Sequence, residues 1–187
     1  MRLNKIRQIC KAAGQVYVIT SDGMVGNMVT QWIGTARALY PVVGLNLDLR
    51  TLMLLWEMEP VKSGLDAHEG TMADMVERGL LEDEDARLLR HVPAKIDADN
   101  APLIGLGEIN GYKALACGDD AMCFLQGWLL EPCFKQGSIH LSIEAGAGRR
   151  VAVYAGDSIV GVLWPAEESN ARALGGILQA MARREPV

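Results

Sequence analysis

The strongest constraint on this fold lies in residues 138 to 165. SIHLSIEA alternates cleanly, with Ile139, Leu141 and Ile143 on one side and Ser138, His140, Ser142 and Glu144 on the other. A period of two belongs to a β-strand with one buried face. GAGR then turns the chain, and RRVAVYAGDSIVGVLWP supplies two more strands around a turn near Gly156 and Asp157. Short turns leave successive strands antiparallel, so this part of the chain must build a meander whose apolar side needs a cover.

The rest of the sequence has to provide that cover. MRLNKIRQICKAAG predicts a helix with Leu3, Ile6, Ile9 and Cys10 on one face, ended by Gly14. QVYVIT predicts a strand, SDG a tight turn and MVGNMVTQWIG a second strand, apolar at Met24, Met28 and Trp32, with Gly26 as a weak point. TARALYPVVG predicts a third strand that stops at Pro41. LDLRTLMLLWEM opens on Asp48 as an N-cap and turns Leu49, Leu52, Met53 and Trp56 inward, with Pro60 beyond its end. Two charged helices should follow, roughly Thr71 to Arg78 and Glu82 to His91. The acids Glu82, Asp83, Glu84 and Asp85 suit the positive end of the second as a solvated first turn. Pro93 and Pro102 bracket a linker. GYKALACG and DAMCFLQ predict two strands flanking a two-aspartate turn, GWLLEPCFK a short helix, and Glu167 to Arg184 a closing helix.

These elements predict an α+β protein with antiparallel strands in two groups and helices on one face. Three stretches differ in character: 1–60, a helix plus a strand-rich unit; 61–105, a helical insertion, linker or lid; and 106–187, a second strand-rich unit with a C-terminal helix. At 187 residues they form one compact domain. The net charge of −5 does not support nucleic-acid binding through bulk charge. No apolar run approaches the ~18 residues of a spanning helix, so no membrane partner is expected. The absence of an export signal and the few cysteines point to the cytoplasm and reduced thiols.

Chemistry-bearing motifs are sparse. No phosphate loop, HExxH, GxSxG or calcium-loop pattern occurs. GLGEING lacks the glycine spacing and strand-to-helix setting of a dinucleotide site and predicts a flexible entry to the next strand. Cys117, Cys123 and Cys133 are spaced more widely than the CxxC pairs that present two sulfurs to one ion. That spacing favours cysteine as a small apolar residue, with a cross-strand disulfide and a metal site, joined by His140, as alternatives. Asp119 and Asp120 lie in a turn, Ser158 beside one, and His140 on a polar strand face. None has the partners that acid–base or nucleophilic work requires. Arg149 and Arg150, after the glycines of GAGRR, are the one candidate anion or nucleic-acid contact, against the simpler reading of exposed turn arginines. Trp32, Trp56, Trp128 and Trp164 predict core anchors, with a partner-binding surface as the alternative. No residue set indicates a cofactor.

VYVITSDGMVG, from Val16, can be laid over VAVYAGDSIVG, from Val151. Val16 then meets Val151, Val18 meets Val153, Asp22 meets Asp157, Val25 meets Val160 and Gly26 meets Gly161. The second unit runs strand (Met122 to Gln126), short helix, then three antiparallel strands. That order resembles the repeating half-domain of DNA sliding clamps, best over 120–166 and loosely over 15–58. The resemblance implies paired, clamp-like units, a protein that self-associates or binds protein partners without catalysing a reaction, and a link to DNA replication. The alternative expectation is a small ligand binder or enzyme with a pocket between the two strand groups.

Overall fold

The computed structural model describes residues 3–25, 28–58, 64–90, 104–116, 122–134, 139–144, 150–156, 158–167 and 171–176. It is an α+β arrangement of two sheets. Helix α1 (Leu3–Ala13) leads into strands β1 (Gln15–Val25), β2 (Met28–Thr35) and β3 (Ala38–Val43), then helix α2 (Leu49–Leu55). Strand β4 (Asp66–Thr71) and helices α3 (Met72–Glu77) and α4 (Asp83–Arg90) form the middle of the chain. Strands β5 (Ile104–Ile109), β6 (Tyr112–Ala116) and β7 (Met122–Gln126) follow, then a 3₁₀ turn (Gly127–Leu130). Strands β8 (Ile139–Glu144), β9 (Arg150–Ala155) and β10 (Ser158–Leu163) come last. The larger sheet has the order β4-β1-β2-β3-β10-β9-β8 and the smaller the order β5-β6-β7. All neighbours pair antiparallel except β1 and β4, which are parallel.

Helices cover both faces of the larger sheet, where the sequence predicted one. Val16, Val18, Tyr40, Val151 and Val153 join α1, α2 and the 3₁₀ turn in one apolar cluster. Tyr17, Ile19, Leu39, Ala152 and Tyr154 join α3 and α4 in another. The physical reason is that the central strands are apolar at successive positions, so each face needs its own layer. Trp32, fully buried, ties the second layer down by donating its indole N–H to the Leu89 carbonyl at 3.0 Å. The smaller sheet lies against the first cluster through Leu115, Cys123 and Leu125. Its other side meets residues 171–176 through Phe124 and Leu174.

Two turns differ from expectation. The SDG residues do not turn the chain: β1 runs on to Val25, with a register shift between Thr20 and Met24, and Val25 pairs with Met28 of β2. Strand β3 does not stop at Pro41, which pairs with Trp32 of β2. On its other side β3 meets β10 at only two positions, Leu39 with Val162 and Ala38 with Leu163. Beyond them Trp164 N–H donates to the Arg37 carbonyl at 2.9 Å. Hydrogen-bonded pairs recur every second residue of an antiparallel ladder, so the next such pair joins Pro41 and Val160. Proline has no N–H to give. The thiol of Cys133 donates to the Val160 carbonyl instead, Sγ to O 3.6 Å. Gly161 leaves the room, since a Cβ there would lie 3.1 Å from that sulfur.

The two hairpins that the sequence alignment equates lie on either side of β3. Counting antiparallel steps, β1 and β9 run in the same direction. A rotation exchanging them would turn the sheet over, yet Val16 and Val151 belong to the same face. Strand order and direction pair different units: β1-β2-β3 corresponds to β8-β9-β10, as a two-fold normal to the sheet between β3 and β10 would have it. Each meander follows a helical segment on the same face, and each segment places a buried cysteine on a strand carbonyl. Cys10 donates to Gly34 at 3.3 Å, as Cys133 does to Val160.

Candidate functional site

The residues singled out from the sequence are not brought together. Arg149, Cys117, Asp119 and Asp120 lie outside the described residues. Arg150, expected in an exposed turn, is only 3% exposed and begins β9. Its guanidinium pairs with Asp85 and, at 2.8 Å, with Glu82. The first turn of α4 is therefore solvated in part only: Asp85 is as buried as the arginine it meets, while Glu82 is 67% exposed. Among the described residues no group of three or more His, Cys, Asp and Glu could hold a metal ion. Cys10 and Cys133 are free buried thiols, each pushed up to about 12 by burial. His140 stacks on Tyr154 at 5.1 Å, and Ser158 opens β10 in an exposed position. Of the tryptophans, Trp32 and Trp56 are core anchors, whereas Trp128 is 37% exposed.

A second constellation escaped the sequence because strand β4 did. Asp66 and His68, two apart on β4, share a side of the strand. Arg78 Nη2 lies 2.6 Å from His68 Nδ1. A guanidinium can only donate, so Nδ1 accepts and the ring proton sits on Nε2, which is 2.8 Å from Asp66 Oδ1. Tyr17 meets the imidazole edge-on at 5.3 Å. Burial, and then the Asp66 charge, raise the Tyr17 phenol above its ordinary value, with Arg78 opposing. Nε2, though near Asp66, makes no aligned hydrogen bond among the described residues, so the Arg78 contact is what ties β4 to the end of α3.

Between the two strand groups, Leu115, Cys123 and Leu125 pack with Val16, Val18 and Val153 in one apolar cluster. The exposed apolar groups are elsewhere. Leu54 and Leu55, on the outer side of α2, are 69% and 62% exposed. Three polar anchors hold that helix. The amide of Gln31, itself buried, accepts from Leu47 N–H at 2.8 Å and donates to Leu47 C=O at 3.1 Å, as a strand neighbour would. Asp48 caps the helix by accepting from Thr51 N–H at 2.6 Å, and Glu69 accepts from Leu49 N–H at 3.1 Å. The hydrogen bond from the Thr51 backbone, and then that from its side chain, lower the Asp48 carboxyl below its ordinary value. Inward, Leu52, Met53 and Trp56 root the helix in the core.

A shallow groove of about 380 Å³ lies by the smaller sheet, lined by Trp128 and Phe134 with Gly111 and Gly127 between charged groups. Those charges are matched within the chain, Lys5 with Glu131 at 2.6 Å and Lys113 with Glu108 at 3.9 Å. No family model, curated protein or solved structure matches the chain.

Proposed function

We propose that this chain is a non-enzymatic protein-interaction module of clamp-like topology that docks a second copy of itself through the outer side of α2. The observation that carries the reading is the pair Leu54 and Leu55, both more than half exposed on a helix fixed by Gln31, Asp48 and Glu69. A rigid apolar surface loses little entropy on association, and one held in water by three polar anchors has a reason to be there. Asp48, Arg50 and Glu57 around it carry both signs, so a second copy meets no single-sign field. The clamp-like part of the reading is supported by the two meanders joined at β3 and β10, each preceded by a helical segment on the same face. From the clamp resemblance comes the proposed link to DNA replication.

Light scattering on the full chain tests both parts. Association through α2 gives a mass above the 20.3 kDa monomer that persists at high salt, and at high salt the L54K/L55K double variant falls to the monomer. A wild-type chain that stays monomeric would remove the α2 reading. Repeating the measurement with duplex DNA at low and moderate salt tests the replication link, which predicts a salt-sensitive complex.

A further inference from the structure

We propose that the groove between α3 and α4 is a two-fold contact between two copies of this chain, held by charge rather than by apolar burial. The groove measures about 410 Å³, and its apolar lining is Ala73, Val76 and Ala86. Its charged lining is ordered along its length. Glu77 ends α3 and Asp83 begins α4, so both sit at the end where the chain turns from one helix to the other. Arg87 and Arg90 follow one and two turns along α4. Positions 83, 87 and 90 share one stripe of a helix. The groove is thus negative at one end and positive at the other.

These charges differ from those on the sheet side of α4. Glu82 and Asp85 are neutralised by Arg150. Glu77, Asp83 and Arg87 form no ion pair among the described residues, and Asp83 and Arg87 do not bond each other although they stand one turn apart. Arg90 is engaged within the chain, so the unmatched charges are Glu77 and Asp83 at one end and Arg87 beyond them, and they suit a partner that brings the opposite order. A two-fold axis near Ala86 supplies that order from the same groove: the acidic end of each copy meets the basic end of the other, twice. A surface that is its own complement needs no second surface, which is the logic of an isologous dimer. The net charge of −5 repels two copies in general, so the local order sets their mutual orientation.

The contact is small. Helix α4 spans only ~12 Å, and the pair of helices falls short of the ~800 Å² per partner of a standard interface. A weak, salt-sensitive dimer follows. The contact stands apart from the α2 surface, and salt separates them: apolar docking survives high salt and the groove contact does not.

Sedimentation equilibrium of the full chain carrying L54K/L55K, which silences the α2 surface, from ~10 μM to ~0.5 mM at low and high salt, reads the groove contact alone. The expectation is a dimer at low salt that weakens at least ~10-fold at high salt. In that background R87E/R90E and E77K/D83K should each be monomeric, because like charges then face each other, while an equimolar mixture should restore a mixed dimer. The milder R87E and D83K pair repeats the test without touching Arg90. An L54K/L55K chain that stays at the monomer mass throughout would overturn the proposal, whatever the wild type does. So would a dimer that every variant leaves unchanged, or a mixture that restores nothing. Binding of an unrelated helical peptide in the groove, with no dimer, would give the surface to another occupant and also overturn it.

Discussion

Gln31 is the residue on which the α2 surface depends most. Its amide serves both backbone groups of Leu47, so Gln31→Leu would leave a donor and an acceptor without partners and should cost about 2–3 kcal/mol in urea unfolding. The same variant should weaken α2-mediated association, because the helix start is no longer fixed. Two caps set the acid limb of stability. Asp48 and Asp74, each bonded at a helix start, have carboxyls held below the ordinary 3.8. They therefore add stability above that value and lose it as pH falls through the lower folded values. D48N/D74N should flatten the acid side of a pH series of Tm. The thiols act at the other end. Folded Cys10 and Cys133 titrate near 12 against an ordinary 9.0, so their contribution is complete below 9.0 and is lost as pH rises toward 12. At pH 8 both should resist a thiol reagent in the folded chain and react once it is unfolded.

Helices were more legible than strands. The 3.6-residue spacing located α1, α3 and α4 to within a residue or two, because each buries one stripe. Strand β4, DAHEGT, gave no apolar alternation to find: it is an edge strand whose residues are half-buried or exposed. What holds it is backbone pairing to β1, which leaves no mark on side-chain pattern. The β5–β6 hairpin does carry a signal, in the Asn110-Gly111 pair of a stretch that otherwise suggests a flexible entry. Asn110 and Gly111 both have positive φ, 49° and 78°, as a tight hairpin turn requires. Gly111→Ala should cost about 1 kcal/mol or more. The cover on two faces was foreshadowed by the unbroken apolar run VYVI in β1, a sign of burial from both sides. The Arg150 pairing was not legible, since its partners lie in a distant helix. Asp85→Ala would leave a buried guanidinium unmatched by its closest carboxylate and should cost about 3–5 kcal/mol. Glu82→Ala should cost much less, because that carboxylate is largely in water. Comparing the two by denaturant titration separates a buried pair from an exposed one.

At the scale of the whole molecule, the two proposed contacts set what an assembly can look like. Two different two-fold interfaces on one chain, α2 to α2 and groove to groove, link copies alternately. They close into an even-numbered ring if the angles permit and otherwise extend as a filament. Raising the salt should break every second contact and leave apolar dimers, so the mass should fall in one step and then hold. The join between β3 and β10 bears on the same question from inside the chain. Only two residue pairs cross it before Pro41 ends the ladder, against six between β2 and β3. It is the seam of the large sheet, closed from one side by a sulfur rather than by backbone. Such a seam lets the chain trade halves: the last meander of one copy can complete the first meander of another with the same contacts it makes at home. Co-expressed fragments divided in the middle of the chain should therefore find each other.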